Sequence, residues 1–171
     1  MATKDPPKAY ARLLAAHRRI IHGLEVQHRR ITSRAAGAPK LSAGSGIDVT
    51  DLRGDPGNDI DYYVYELARL QDLAKEIGRV FGDPAEVADA LGAFDRAIPA
   101  LRRLRNPLTH PTDDERLDAV AWFDSVVKLQ PGGAVEYLVD PRYGHHDAAL
   151  ELGRVLSRYL DAGYQATRDA D

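Results

Sequence analysis

Cysteine is absent from the 171 residues. That excludes a disulfide framework, a thiolate metal site and a cysteine nucleophile, and it fits a reducing compartment. No segment approaches the ~20 apolar residues of a membrane span. The opening MATKDPPKAY is charged and proline-broken, with no apolar run of signal-peptide length after it. A cytoplasmic protein with no membrane association is therefore expected. Also missing are a glycine-rich phosphate loop, histidines at i, i+4 around a glutamate, and any internal repeat. His145, His146 and Asp147 are adjacent in sequence, so their side chains diverge. They read as a helix cap with exposed histidines rather than a metal site, and no metal or cofactor is expected.

What is present suits one domain over residues 1–171, long enough to bury a single core without staples. Net charge is only -3, but it is segregated. Up to residue 36, eight basic residues face two acidic ones; from 55 to 95, ten acidic residues face three basic ones. The two segments can neutralise each other within one bundle or across a dimer, or the basic one can also face a polyanion.

Apolar periodicity predicts long helices. Leu13, Ile20, Leu24 and Ile31 share one face of a helix over 8–36, with His17 and His28 within that stripe and His22 pointing away. A histidine so placed is either a satisfied core residue or a candidate to line a central groove. Residues 37–58 form a Gly, Ser and Pro loop, either a flap or a flexible connector. Asn58 or Asp59 caps a second helix to about Phe81, with Tyr63, Leu67, Leu70, Ala74, Ile77 and Phe81 on one side. Its cluster Tyr62, Tyr63, Tyr65 serves packing or base stacking. Asp83, Pro84 and Glu86 read as N-cap, N1 and N3 of a third helix carrying Val87, Leu91, Phe94, Ile98 and Leu101. Pro99 should kink it, and Thr112 with Glu115 suggests a short helix near 113–119. Within 123–139 the period changes to two, predicting a hairpin with Val127 and Leu129 on the face of Val135, Tyr137 and Val139. A last helix over 146–166 buries Ala149, Leu152, Val155 or Leu156, and Tyr159. The expected class is mainly α, a four-helix up-down bundle with a small β-hairpin between the third and fourth long helices.

The chemical anomaly is LRRLRNPLTHPT, Leu101 to Thr112. Counted from Val87 at roughly 100° per residue, Arg105 returns to about 0°, the middle of the apolar stripe. A guanidinium there cannot shed its charge and must find an anion, either an internal carboxylate or a substrate phosphate. Arg102 lies at the edge of the stripe and Arg103 opposite it. Asn106 precedes Pro107, so the helix kinks or stops there, and the break can swing His110 toward Arg105.

Arg105, Asn106, three residues and His110 resemble the motif of the HEPN superfamily: an arginine, a polar residue directly after it, a short spacer and a histidine, at the end of the third long helix of an all-α bundle. The resemblance covers about 6–166 as architecture and six residues as motif. It implies a metal-independent endoribonuclease, or a relative that binds RNA or nucleotides without cutting. Under it Arg105 holds the phosphate and stabilises transition-state charge, His110 is the general acid or base, and Asn106 positions one of them. Arg102, His17, His28 and Tyr63 are the substrate-binding candidates. A homodimer with facing motifs, a toxin or defence setting, an antitoxin-like protein partner and a 2′,3′-cyclic phosphate product follow from the same resemblance. Thr112 stands where toxins silenced by a nucleotidyltransferase often carry tyrosine, and Pro107 and Pro111 bracket the motif. The alternative is a non-catalytic helical RNA-binding, nucleotide-binding or protein-interaction module with Arg105 in a structural salt bridge.

Overall fold

A computed structural model describes residues 5–37, 56–99, 101, 104, 119–122, 125–129 and 134–169. Among these the chain is mainly helical: α1 (Pro6–Gly37), α2 (Pro56–Phe81), α3 (Ala85–Ala97) and α4 (His146–Arg168), with strands β1 (Ala119–Trp122), β2 (Ser125–Leu129) and β3 (Val135–Val139) before α4. The strands form an antiparallel sheet in the order β1-β2-β3.

Most positions of the apolar stripes read from sequence close into the core, but Phe81, Leu91 and Tyr159 are only half-buried and pack against its edge. Leu13, Ile20, Leu24 and Ile31 of α1 join Tyr63, Leu67, Leu70, Ala74 and Ile77 of α2 in one buried cluster. Val87 and Phe94 of α3, and Ala149, Leu152, Leu156 and Leu160 of α4, complete it. Full burial of each large aliphatic side chain contributes about 1.5–3 kcal/mol before entropy opposes it. α1 runs antiparallel to α2, since Arg12 pairs with Glu76 at 3.2 Å and Arg30 with Asp59 at 3.6 Å. It also runs antiparallel to α4: Tyr10 lies against Tyr159, His17 against Gly153 and His28 against His146. These two ion pairs join the basic helix to the acidic segment, as one reading of the charge pattern requires.

Several local expectations change. α2 begins at Pro56, so Asn58 and Asp59 lie inside its first turn rather than capping it; proline suits a first helical position because its missing N–H would have no partner there. The α2–α3 turn is tight, with Gly82 at φ 79° and Asp83 at φ 52°, and both their N–H groups donate to the Gly78 carbonyl at 2.8 Å. Asp83 is consequently no N-cap: its left-handed backbone ends α2, and α3 starts after Pro84 with no side-chain cap. The Asp83 carboxylate lies instead over Gly78, where a Cβ would overlap it.

α3 stops at Ala97. Ile98 sits at φ -128°, ψ 66°, driven out of the helical region by the following Pro99. On an unbroken helix Leu104 would fall roughly 100° from Val87, yet it is only 2 % exposed, and Leu101 is buried beside it. Helical phase therefore restarts after Ile98, and counting from Val87 does not place Arg105. The expected hairpin is β2–β3, but a bulge at Val126/Val127 pairs Val126 with Val139 and Val127 with Tyr137. Val126 and Val139 enter the core while Tyr137 is 49 % exposed, because the extra residue breaks the strict alternation that put Tyr137 and Val139 on one face. β1 was not anticipated; Ala119, expected to end a short helix, is its first residue and pairs with Lys128. The rest of that short helix, and residues 38–55 of the expected loop, lie outside the described residues.

Candidate functional site

Arg102, Arg105, Asn106 and His110 lie outside the described residues. The polar centre that the structure does describe forms where α1, the start of α2 and the start of α4 meet. His28 and His146 stack with ring centroids 3.6 Å apart and planes 7° from parallel. The Tyr63 hydroxyl and His146 Nδ1 share a hydrogen bond of 3.1 Å. Tyr63 is fully buried and His146 is 8 % exposed.

The chain reaches this point through Asp140–His145. Asp140 is completely buried. Its Oδ1 accepts from the Arg142 backbone N–H and Nε, both at 2.9 Å, and its Oδ2 from Nη2 at 2.7 Å. The Asp140 N–H donates to His145 Nδ1 at 2.8 Å, which fixes that ring as its Nε2–H tautomer when neutral. Gly144, at φ 87°, then turns the chain into α4. This fork on a buried carboxylate is a rigid bracket that delivers His146 to α2.

Electrostatics keep the centre neutral. Burial, and after it the neighbouring His28, hold the His146 imidazole down at about 4, with Asp147 opposing. Partial burial also lowers His28, again against Asp147. Burial, with the Asp147 and Asp140 charges, pushes the Tyr63 phenol far up, so it keeps its proton. The Tyr63–His146 bond thus joins two uncharged groups near neutral pH, and stacked rings cannot both take a proton without repulsion. Chemically the centre can bind a proton on the partly exposed His28; it offers no accessible nucleophile. No group of three or more His, Asp or Glu among the described residues could hold a metal ion.

Of the sequence candidates, His28 and Tyr63 come to this one place, though they meet through His146 and not directly. His17 does not join them. It lies eleven residues earlier on α1, roughly 16 Å along the axis, buried with Nε2 at 2.8 Å from the Gly153 carbonyl oxygen and no partner for Nδ1. Burial lowers its pKa, with the Gly153 bond opposing. It is a tie between α1 and α4. His22 is exposed, as its phase predicts. His146 is the residue that sequence reading missed: expected among exposed cap histidines, it is buried. The signal was there, because His146 sits three residues before Ala149 on the stripe that continues through Leu152, Leu156 and Leu160.

No protein-family model, curated protein or solved structure matches the chain.

Proposed function

We propose that the chain is a HEPN-like, metal-independent endoribonuclease, a four-helix up-down bundle acting in the cytoplasm as a homodimer in a toxin or defence setting. The observation that carries this reading is the sequence Arg105-Asn106-x3-His110, which follows α3 directly after the buried pair Leu101 and Leu104. The alternating directions of α1, α2 and α4 support the bundle.

In this reading the ribose 2′-hydroxyl attacks the adjacent phosphorus. The 2′-O–P bond forms and the P–O5′ bond breaks, leaving a 2′,3′-cyclic phosphate. One His110 accepts the 2′-hydroxyl proton, and the His110 of a second protomer in a shared cleft protonates the 5′-oxygen. Arg105 holds the non-bridging oxygens as charge builds, and Asn106 orients the phosphate or the imidazole.

The test is RNA cleavage in EDTA by purified wild-type protein, Arg105→Ala and His110→Ala. Wild-type product with a cyclic phosphate end, reduced on the order of 100-fold or more in each variant, is expected. Equal degradation by all three proteins identifies a contaminant and sinks the proposal in favour of a non-catalytic helical module.

A further inference from the structure

α1 presents a continuous outward face. Ala11, Ala15, Arg18, His22, Glu25, Arg29 and Ser33 follow one another at three- and four-residue steps, and all are exposed. Arg12, Arg19 and Arg30 border this line on one side and are also exposed. Arg12 and Arg30 reach over to Glu76 and Asp59 of α2. Among the described residues, none of Arg18, Arg19 and Arg29 is paired with a carboxylate, and Glu25 is the lone acid on the face. Within a chain of net charge -3, and among the described residues, this face of α1 thus carries an excess of positive charge, Arg18, Arg19 and Arg29 against Glu25.

We propose that this face of α1 docks the phosphate backbone of a single-stranded RNA, with Arg18, Arg19 and Arg29 as the contacts. The choice of RNA rests on the function proposed above; the surface itself does not. Three features of the face select its occupant. Arg18 and Arg29 are three turns apart, roughly 16 Å at 1.5 Å per residue. One phosphate cannot meet both, whereas a polymer with a charge at every unit can. The basic groups on the face are arginines, whose planar forks grip phosphate oxygens in pairs.

The face also carries no large apolar group, since the exposed large hydrophobics among the described residues are Tyr62, Tyr65, Tyr137 and Tyr143, none of them on α1. A helix lying in a membrane interface needs such groups, and so does the buried centre of a protein–protein interface. Phosphate binding does not, because released counterions drive it.

The experiment uses full-length protein and a short fluorescein-labelled RNA with 2′-O-methyl groups, which blocks attack by the 2′-oxygen and leaves binding alone to be read. Anisotropy is followed from about 50 to 200 mM salt. Wild-type affinity should fall steeply with salt. Arg18→Glu with Arg29→Glu should weaken binding at least tenfold and flatten the log–log salt slope by about 1.4, two contacts at ~0.7 each. Arg18→Gln with Arg29→Gln, which keeps helix-forming side chains, should lie between. A control reversal on α4, Arg154→Glu with Arg168→Glu, should leave binding unchanged.

Equal loss in that control, an unchanged affinity in the α1 variants, or equally tight binding of polyglutamate overturns the proposal. The two ideas separate cleanly. RNA bound through this face but left uncut in its unmodified form rejects the nuclease and keeps the dock. RNA cut with an unchanged KM by Arg18→Glu with Arg29→Glu does the reverse.

Discussion

His28 and His146 meet face to face, 3.6 Å between ring centroids, although 118 positions separate them in the chain. The contact joins the third quarter of α1 to the first residue of α4, where burial first and His28 second hold the His146 pKa down. His146 in the unfolded chain takes its proton near 6.5, and in the folded chain only near 4. Between these values the unfolded state binds more protons.

Stability should therefore be full well above pH 6.5 and fall as pH drops toward 4, by about 2.5 kcal/mol from this histidine at pH 4.5. The lowered pKa values of His28 and His17 act in the same direction. Urea midpoints at pH 7.5, 5.5 and 4.5 for wild type and His146→Gln test this. The difference between the two proteins should shrink as pH falls, and parallel curves would refute the assignment.

Tyr63→Phe removes only the hydroxyl that meets His146 Nδ1 at 3.1 Å. Ring packing survives, but a buried nitrogen loses its partner, which costs about 1–2 kcal/mol. Equilibrium unfolding should show a lower urea midpoint with an unchanged slope. An unaltered midpoint would mean that water replaces the hydroxyl.

Gly163→Ala should destabilise, although alanine is the better helix former by about 1 kcal/mol. A Cβ at this position would overlap the Tyr10 ring. Tyr10 cannot simply step aside, because it stacks on Phe81 at 4.3 Å and 13° and leans on Tyr159. A net loss of about 1–2 kcal/mol is expected from the overpacking. Adding Tyr10→Ala should abolish the penalty of the glycine substitution, so that alanine at 163 becomes neutral or favourable in that background; a penalty that persists there must arise elsewhere.

Helix positions were legible because burial leaves a periodic mark. Leu13, Ile20, Leu24 and Ile31 announce a face, and the same four are buried in the core. The segregated charges left neutralisation within one bundle or across a dimer both open, and Arg12–Glu76 and Arg30–Asp59 show the pairing within the chain. Neighbouring backbone geometry was less legible. Asp83 followed by Pro84 has the composition of a helix start, but the chain used Asp83 to end the previous helix, a choice between two local hydrogen-bond schemes that residue types alone do not rank.

By itself the sequence determined the main apolar stripes of α1, α2 and α4, where α1 and α4 run, and that positive charge gathers on the first helix, since each follows from side-chain chemistry repeated at a fixed spacing. Only tertiary structure decided that His146 is buried rather than exposed, that Tyr63 answers to it, and that the helical phase breaks at Ile98. These depend on which groups from distant segments arrive at one place, and on the direction the backbone takes after a proline; neither quantity is periodic, so neither is written in the spacing of residues.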